Sequence, residues 1–377
     1  MSPAMTRSIE DHEVHNSEDD HSQCLKGVKL LHDAGVTHIP RKYILPFPDR
    51  PDNAPTALSK RGASTNLINL PIIDLAELQG PNRSTAITSL SNACESFGFF
   101  QVVNHGIPEH VIADMMDVGG RFFDLPYEAR RRYLSSDMRA PVRCGTSFNQ
   151  NKDGVFCWRD FLKMVCDHSS PDALAQWPDS PAELRNCAYS YSKEAKNLFV
   201  KLMDAILESL GLRDSSIDAD EMLEGFENGS QLMVVNCYPP CPQPELTLGM
   251  PPHSDYGFLT LLLQDEVRGL QIQHRGNWVT VDPIPNAFVV NVGDHLEIFS
   301  NGLYKSVLHR VLANSKRLRS SIASLHSLPL DRTISPCETL VNRYGEKIYK
   351  DTSFADFLEY ASTREPKGKD FLESRKL

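Results

Sequence analysis

Two histidines and one aspartate in the second half of the chain have the types and spacing of metal ligands. His253 and Asp255 lie two residues apart in PPHSDYGFLTLLLQ, and a β-strand turns side chains with that spacing toward one face. Alone, such a pair is more often a surface turn, and His309 in SVLHRVL could equally be a satisfied core residue. Together, two imidazoles and one carboxylate match the facial triad that holds non-haem iron(II) and leaves three coordination positions open. A structural zinc site would instead close four positions, usually with cysteine.

Open positions on iron suit a chelating co-substrate and dioxygen, so we expect an anion-binding group nearby. Arg319 and Ser321 follow His309 and lie two residues apart, which places both on one face of a strand. A guanidinium binds a carboxylate through two parallel hydrogen bonds, and a hydroxyl adds another donor. The alternative is a solvated Arg319 in the basic turn KRLR, like Arg317. A strand that begins RSSIASL with its inward face at Arg319 is hard to explain without an anion.

A tyrosine and an asparagine precede a proline-rich turn in NCYPPCPQP. Asn236 and Tyr238 would share a strand face with Leu232 and Val234. The Tyr238 hydroxyl could add to the carboxylate site, or the ring could simply fill the mouth of a barrel. The residues alone leave both interpretations open.

The elements that must position these residues change in character along the chain. The first half reads as mainly helical, with helices over residues 85–97 and 181–210, a buried strand at LPIIDLAEL and hairpins over residues 142–166. After about Gly229, short β-type runs separated by Gly, Pro and Asn follow one another, which is typical of a sandwich or a barrel. The predicted regions are a disordered acidic tail (1–24), a mainly helical region (25–228), a β core (229–332) and a C-terminal helical segment (333–377).

Composition and charge exclude several classes of partner. The 377 residues are 41% hydrophobic and 23% charged, as in an ordinary globular protein, and the net charge of -10 comes without a long basic run. We therefore expect neither nucleic acid nor a membrane as a partner, but a small molecule. The N-terminus has the pattern of neither a signal nor a transit peptide, and nine cysteines without a C-x-x-C pair suit a reducing compartment. The prediction is a monomer in the cytoplasm, with the nucleus as the alternative.

The chain resembles the plant 2-oxoglutarate- and iron(II)-dependent dioxygenases, the group related to flavanone hydroxylases, anthocyanidin synthase and gibberellin oxidases. The motifs that carry the resemblance are NCYPPCPQPELTLG, PPHSDYGFLTLLLQDEVRGLQI, WVTVDPIPNAFVVNVGDHLEIFSNG, YKSVLHRVLANS and RLRSSIAS. LPIIDLAEL and ESFGFFQVVNHGIP resemble the N-terminal region of that family, at about residues 69–178. The likeness covers roughly residues 40–360, and its order and spacing make it specific.

This resemblance implies a mixed α and β fold, with a distorted double-stranded β-helix, or jelly roll, as its core and helices on its flanks. It also implies iron(II), 2-oxoglutarate and dioxygen as cofactor and co-substrates, with ascorbate as the reductant. The site residues that it implies are the iron ligands His253, Asp255 and His309 and the 2-oxoglutarate contacts Arg319, Ser321, Tyr238 and Asn236.

The implied reaction is the oxidation of a small-molecule specialised metabolite. Oxidative decarboxylation of 2-oxoglutarate would release succinate and carbon dioxide and leave a ferryl-oxo intermediate that abstracts hydrogen from the substrate. Hydroxylation follows, and desaturation or demethylation are variants of the same attack. The protein's part is to hold the open triad and to keep water away.

Departures from the flavonoid branch bear on the substrate. Six residues after the 2-oxoglutarate arginine, flavonoid-type relatives commonly have phenylalanine, whereas this chain has Leu325. Anthocyanidin synthase has an acid two residues further on, where this chain has Ser327, and a lysine where this chain has Val234. The loss of an aromatic platform and two charged groups favours an apolar or compact substrate, such as a terpenoid, an indolic compound or an alkaloid. The alternative, with a flavonoid still open, is that the recognising residues lie in the hairpin region, at Phe148, Phe156 and Trp158.

Three other classes of function compete with this interpretation. An enzyme resembling aminocyclopropane carboxylate oxidase would use the same triad without 2-oxoglutarate. A non-catalytic β-sandwich that binds a metal or a small ligand would need neither open coordination positions nor an anion clamp. A zinc hydrolase would share the ligands, since residues alone do not fix the metal.

Overall fold

Two β-sheets form the centre of the fold in the computed structural model. The structure describes residues 24, 26–51, 67–147, 153–213, 218–363 and 368–377. Its strands are β1 (Leu67–Ile68), β2 (Ile72–Asp74), β3 (Phe99–Val103), β4 (Val142–Gly145), β5 (Asp160–Val165), β6 (Gln231–Tyr238), β7 (Met250–His253), β8 (Leu259–Gln264), β9 (Leu270–His274), β10 (Asn277–Val281), β11 (Phe288–Val292), β12 (His309–Val311) and β13 (Arg319–His326).

Helices cover the outside of this centre. They are α1 (Val28–Asp33), α2 (Arg83–Ser96), α3 (Glu109–Asp124), α4 (Tyr127–Arg130), α5 (Pro171–Ala175), α6 (Leu184–Ser209), α7 (Asp218–Glu227), α8 (Asp294–Phe299), α9 (Glu338–Tyr344), α10 (Phe354–Thr363) and α11 (Asp370–Glu373). Short 3-10 turns lie at Arg41–Tyr43, Phe47–Asp49, Glu77–Gln79, Arg131–Tyr133 and Pro244–Leu246. Within the described part of the chain, no helix is long and apolar enough to cross a membrane.

The topology is that of a jelly roll. The larger sheet has the order β2-β3-β11-β8-β13-β6-β5-β4 and the smaller sheet the order β1-β10-β9-β12-β7. From β6 to β13 the chain passes back and forth between the sheets, with β6, β8, β11 and β13 in the larger and the rest in the smaller. The predicted mixed α and β fold with a double-stranded β-helix core is confirmed.

The two faces of the larger sheet meet different surroundings. In β8, Leu259, Leu261 and Leu263 belong to the main hydrophobic core, to which helices α2, α3 and α6 also contribute. Leu262, between them, packs against a second cluster that includes Ile272 of the smaller sheet. Strand alternation therefore divides β8 into a helix-facing side and a side that faces the smaller sheet, where the candidate site lies.

The predicted helices agree closely with the structure, and the first predicted strand does not. The helix predicted over residues 85–97 is α2, and its stop at Gly98 has a physical cause: φ is +63°, and a Cβ there would lie 2.1 Å from the carbonyl oxygen of Lys305. The buried strand expected at LPIIDLAEL is shorter, because only Ile72–Asp74 is extended. Ile72 is 55% exposed, since β2 is an edge strand with one open side.

Strands from the predicted helical region complete the larger sheet. β3 pairs with β11 at one end, and β5 pairs with β6 at the other, with β4 beyond it. The β core therefore shares one sheet with the region before it. The boundaries at residues 228 and 332 stay a prediction.

Candidate active site

The three predicted metal ligands converge at one end of the smaller sheet. His253 is the last residue of β7 and His309 the first of β12, and the two are paired across the strands with ring centroids 4.1 Å apart. Asp255 lies in the loop after β7, not on the strand that we expected, because β7 ends at His253. Its Oδ1 is 3.7 Å from Nε2 of His253, and its Oδ2 is 3.8 Å from Nε2 of His309. Among the described residues, ligand atoms of these three side chains all lie within 4.8 Å of one another.

Backbone carbonyls fix the orientation of both imidazole rings. Nδ1 of His253 is 2.8 Å from the carbonyl oxygen of Pro251, and Nδ1 of His309 is 3.2 Å from that of Val307. A carbonyl only accepts, so each Nδ1 carries the proton and each Nε2 keeps a lone pair that points at the other ligands. This is the tautomer that a metal ion requires.

Asp255 is held by a residue that the sequence argument missed. Asn291 on β11 donates a hydrogen bond from Nδ2 to Oδ2 of Asp255 at 2.9 Å. The amide of Asp294 donates to the backbone carbonyl of Asp255 at 2.7 Å and fixes the loop itself. Asn291 had a signal that could have been used, since it is the polar residue in the apolar strand FVVNV.

The protonation states also suit a divalent cation. Burial and the neighbouring His309 lower the pKa of His253 to about 4, so its ring is neutral at pH 7. Burial alone would raise the pKa of Asp255, but His309, His253 and the hydrogen bond from Asn291 outweigh it, and the pKa lies below its ordinary value. Two imidazoles and one carboxylate, aimed at a common point, fit iron(II) and leave space for further ligands.

The predicted anion clamp is buried and assembled by strand pairing. Arg319 is 1% exposed, and its guanidinium lies over the ring of Tyr238 at 5.0 Å, its cross-strand partner. Nη2 donates to Oε1 of Gln264 at 2.9 Å, and Nη1 is 3.5 Å from Oγ of Ser321. Gly269 makes room for the side chain, because a Cβ there would lie 2.9 Å from Cδ of Arg319.

These contacts decide between the two interpretations of Arg319. Arg317, two residues earlier, is exposed and paired with Glu266, as a solvated turn arginine should be. Arg319 is instead held by an amide oxygen and by the carbonyl oxygen of Val267, and neither neutralises its charge. A buried guanidinium that forms no ion pair with a carboxylate among the described residues is the arrangement that a dicarboxylate co-substrate would complete.

Asn236 is on the predicted face but is engaged elsewhere. It pairs with Ser321 across β6 and β13, and its Oδ1 accepts a hydrogen bond from Nη1 of Arg159 at 3.1 Å. Its Nδ2 donates to the carbonyl oxygen of Val234 at 3.2 Å. The amide therefore links the clamp to the next part of the sheet instead of reaching toward the carboxylate site itself.

Two of the predicted substrate contacts lie on the same face as the clamp. Leu325 and Val234 are half-buried and so are their cross-strand partners Leu232 and Ala323, whereas the opposite face of these strands is packed in the core. The partial exposure of four aliphatic side chains side by side indicates open space in front of them. Ser327, noted for replacing an acid, turns away and bonds to Nδ1 of His295 at 2.7 Å.

The hairpin aromatics lie elsewhere than predicted. Phe156 and Trp158 are at most 2% exposed. They pack with Tyr43 of the N-terminal arm, residues 26–51, with ring centroids 5.9 and 5.4 Å from that of Tyr43. Nε1 of Trp158 donates to the carbonyl oxygen of Pro239. Both rings therefore hold the arm to the barrel and are not open to a substrate. Phe148 lies outside the described residues.

Comparisons with known proteins agree with the geometry. Residues 229–327 match the 2OG-Fe(II) oxygenase superfamily, and residues 70–180 match the N-terminal region of a non-haem dioxygenase in morphine synthesis. The second match is the region where the N-terminal motif was predicted, at about residues 69–178.

Curated relatives and solved structures extend the match over most of the chain. DMR6-like oxygenase 2 of Arabidopsis thaliana is 40% identical over 326 residues, 86% of this chain and 90% of the relative. Flavanone 3-dioxygenase 2 of Oryza sativa subsp. japonica is 38% identical over 333 residues, 88% of this chain and 90% of the relative. A crystal structure of JOX2 in complex with 2OG, Fe and JA has a TM-score of 0.81 and 34% identity and covers 93% of this chain and 97% of JOX2. The chain belongs to the 2OG-Fe(II) oxygenase superfamily, as an oxidoreductase that uses iron(II), 2-oxoglutarate and dioxygen.

Proposed function

We propose that this dioxygenase binds iron(II) through His253, Asp255 and His309 and oxidises a small specialised metabolite in the cavity between the two sheets. The observation that carries the proposal is the convergence of the three ligand atoms within 4.8 Å, on rings whose Nδ1 atoms are already committed to carbonyls. Ligands held in this way need little rearrangement to bind a metal.

Arg319 and Ser321 would bind the distal carboxylate of 2-oxoglutarate. The guanidinium is buried and fixed by Gln264, so it presents its remaining N–H groups in one direction. Ser321 and Tyr238 would add hydroxyl donors on either side. When bound, iron and 2-oxoglutarate together supply the oxidising power that the side chains of the protein lack.

The substrate face of the cavity would contribute position and exclusion of water. Leu325 and Val234 present aliphatic surface beside the clamp and would contact the substrate. The relatives do not fix the substrate, since one is named for a flavanone and another was crystallised with JA. We infer hydroxylation or desaturation, with ascorbate as the reductant that keeps the iron in its ferrous state.

The finer predictions on assembly and location also belong to this proposal. We propose a monomer in the cytoplasm or nucleus, and the acidic net charge of -10 argues against nucleic acid or an anionic membrane as a partner. Light scattering coupled to size exclusion should give the mass of one chain, 42.3 kDa. A mass of twice that value would contradict the monomer.

The experiment that tests the function is stepwise reconstitution. Iron(II) and 2-oxoglutarate are added without oxygen, oxygen and a metabolite panel follow, and succinate and product mass are measured. We expect one succinate for each product formed. Product without succinate would point to the aminocyclopropane carboxylate oxidase type, and activity with zinc(II) in place of iron(II) would point to a hydrolase. Absence of turnover together with absence of 2-oxoglutarate binding would support a binding protein.

A further inference from the structure

Three cationic side chains lie on the substrate side of the larger sheet, outside the metal site and the clamp. They are Arg143 on β4, Arg159 just before β5, and Lys163 on β5. Strand register places them there. Lys163 pairs with Val234 on one side and with Arg143 on the other, so all three share the face of the half-buried Val234.

Arg159 extends the same face toward the metal site. It lies two residues before Phe161, which pairs with Asn236, and its guanidinium donates to that asparagine. The guanidinium groups of Arg159 and Arg143 both lie over the ring of Phe161, at 4.9 and 5.2 Å. The positive charge of Arg159 also contributes to the low pKa of His253, which places it near the ligands.

Among the described residues, the hydrogen bonds of these cations go to neutral groups. Arg143 donates to the carbonyl oxygens of Ser135 and Ser147, and Lys163 donates from Nζ to that of Met138 at 2.8 Å. Nε of Arg159 is buried and makes no hydrogen bond to a described residue. Arg143 and Arg159 are 2% and 6% exposed, so water does not screen them well.

The neighbouring carboxylates offset only part of this charge. Asp153 and Asp137 favour the charged form of Arg143, yet burial and then the charge of Arg159 lower its pKa to about 10. Asp160, which interacts with Arg159, lies on the opposite face and accepts hydrogen bonds from the amides of residues 28 and 29. Three cationic groups therefore share this region with the carboxylates of Asp137 and Asp153, and an anion bound among them would offset the remaining positive charge.

We propose that this dioxygenase acts on a substrate that carries a carboxylate, and that Arg159 and Lys163 bind the carboxylate at the substrate end of the cavity. Arg159 and Lys163 lie four residues apart, so their Cα atoms are roughly 13 Å apart on an extended segment, and the carboxylate would lie between the ends of the two long side chains, on the side of Phe161. Arg143 is fixed by its hydrogen bonds to two carbonyl oxygens and adds to the positive potential at this site. Leu325 and the aliphatic residues around it would contact the rest of the molecule.

This inference corrects the apolar cavity predicted from sequence. The lysine that anthocyanidin synthase carries is replaced by Val234, but strand pairing places Lys163 directly beside that valine. The charge is supplied by a different strand. A compact substrate with an aliphatic or aromatic body still fits, provided that it ends in an acid.

The test rests on the proposed function and compares acids with their neutral amides. The probes are benzoate, cinnamate and indole-3-acetate, each beside its primary amide, which has nearly the same shape. Binding to the protein loaded with iron(II) and 2-oxoglutarate is measured by calorimetry under argon, and probe-stimulated succinate formation is measured in air. For at least one pair, we expect the acid to bind roughly tenfold to a hundredfold more tightly than the amide.

Two variants of Lys163 and one control variant separate loss of the carboxylate site from a general loss of stability. Lys163→Met should weaken binding of the acid roughly tenfold or more and change binding of the amide less than about twofold, and Lys163→Arg should restore the preference. Lys196→Met is the matched control, because Lys196 is also largely buried, has a pKa of about 8 and donates to backbone carbonyls, but lies on α6. The control should bind the acid as the wild type does.

The outcomes distinguish this inference from the proposed function. Equal binding of every acid and its amide, or equal effects of Lys163→Met and Lys196→Met, would overturn the carboxylate proposal while succinate formation still supports the dioxygenase. Competition between the acids and 2-oxoglutarate would also overturn it, since the cations would then serve the co-substrate. Failure of 2-oxoglutarate to bind at all would refute the proposed function, and the acid–amide comparison by calorimetry could still be read.

Discussion

The candidate site has two ends that are built in different ways, a metal end with His253, Asp255 and His309 and a proposed substrate end with Arg143, Arg159 and Lys163. At the metal end, His253 and Asp255 are neighbours in sequence, and backbone carbonyls two residues before each histidine fix both rings. At the substrate end, the cations come from β4 and β5, a hairpin that precedes the core strands by some seventy residues and is attached to the edge of the larger sheet. At the metal end one strand pairing, β7 with β12, adds His309 to the sequence neighbours His253 and Asp255. The substrate end depends on the pairing of β4 with β5 and of β5 with β6.

This difference indicates how one scaffold can serve many substrates. The metal end depends on the segments around residues 253 and 309 and on the support of Asp255 by Asn291, all of which belong to the core strands and their loops. The substrate end depends on which side chains an added hairpin places beside β6, so Lys163 can stand next to a neutral Val234 and supply its charge. Changes in the hairpin can therefore alter specificity without disturbing the ligands.

Removal of a metal ligand should have the largest effect. His309→Ala leaves one imidazole and one carboxylate, and we expect turnover to fall by more than about a thousandfold, because the open triad is what activates oxygen. Succinate formation at saturating 2-oxoglutarate measures the loss. The control is His274→Ala on the adjacent strand β9, a half-buried histidine stacked on Phe97, which should stay active. Undiminished turnover in His309→Ala would overturn the site.

Loss of the clamp should be next in size and should affect the co-substrate. Arg319→Ala removes a buried, charge-assisted interaction, and we expect the KM for 2-oxoglutarate to rise about a hundredfold. Arg317→Ala, two residues away and exposed, is the matched control and should leave KM unchanged. Similar effects of both variants would mean that the basic turn acts only through its general charge.

The sequence predicts the metal end from local pairs of residues, to which the chemistry of the triad adds His309. The assignment of the ligands stays a prediction. The spacing of His253 and Asp255, and of Arg319 and Ser321, directly indicates shared faces, and the structure brings each pair together. The fold class followed from the run of short strands after Gly229. The prediction that Asp255 lies on a strand was wrong, because β7 ends at His253. From the loop after β7, the carboxylate of Asp255 still lies beside both histidines.

The substrate end could not be predicted from the sequence, because it depends on register. Nothing in the sequence pairs Lys163 with Val234, since a shift of one residue would turn Lys163 to the other face. Phe156 and Trp158 were plausible substrate contacts by position, but the N-terminal arm covers them. A segment more than a hundred residues earlier in the chain therefore decides whether these two aromatic side chains are accessible to a substrate.

The contact between the larger sheet and the metal ligands can be tested through Asn291. Asn291→Ala removes the hydrogen bond to Asp255, and we expect metal affinity to fall at least about tenfold with little change in the KM for 2-oxoglutarate. Anaerobic calorimetry with iron(II) gives the affinity. Asn277→Ala, at the exposed start of β10, is the control. Unchanged affinity would mean that the loop alone positions Asp255.

The pH dependence of kcat/KM should distinguish the substrate end from the metal end. Burial and then the charge of Arg143 lower the pKa of Lys163 to about 8, against a favourable effect of Asp137. Its charged form is therefore lost as the pH rises through 8. If Lys163 binds the carboxylate, kcat/KM for an acid substrate should fall about tenfold between pH 7 and pH 9, whereas that for the amide should not.

Two variants test whether Lys163 causes this fall in kcat/KM at high pH. Lys163→Arg should abolish it, because a guanidinium stays charged throughout the range. Lys196→Met should retain it, although Lys196 also has a pKa of about 8. If the fall in kcat/KM at high pH disappears in Lys196→Met and persists in Lys163→Arg, then Lys196 and not Lys163 causes it, and the proposal is contradicted.

The smallest expected effect concerns the hydroxyl of Tyr238. Its ring packs against Gly249, where a Cβ would lie 2.7 Å from the ring, and under the guanidinium of Arg319. Tyr238→Phe keeps that packing and removes only the oxygen. If the hydroxyl binds the co-substrate, the KM for 2-oxoglutarate should rise about threefold to tenfold. An unchanged KM, equal to that of the control Tyr191→Phe in α6, would mean that the ring serves only to support Arg319. The clamp would then depend on Arg319 and Ser321, two residues apart on the single strand β13.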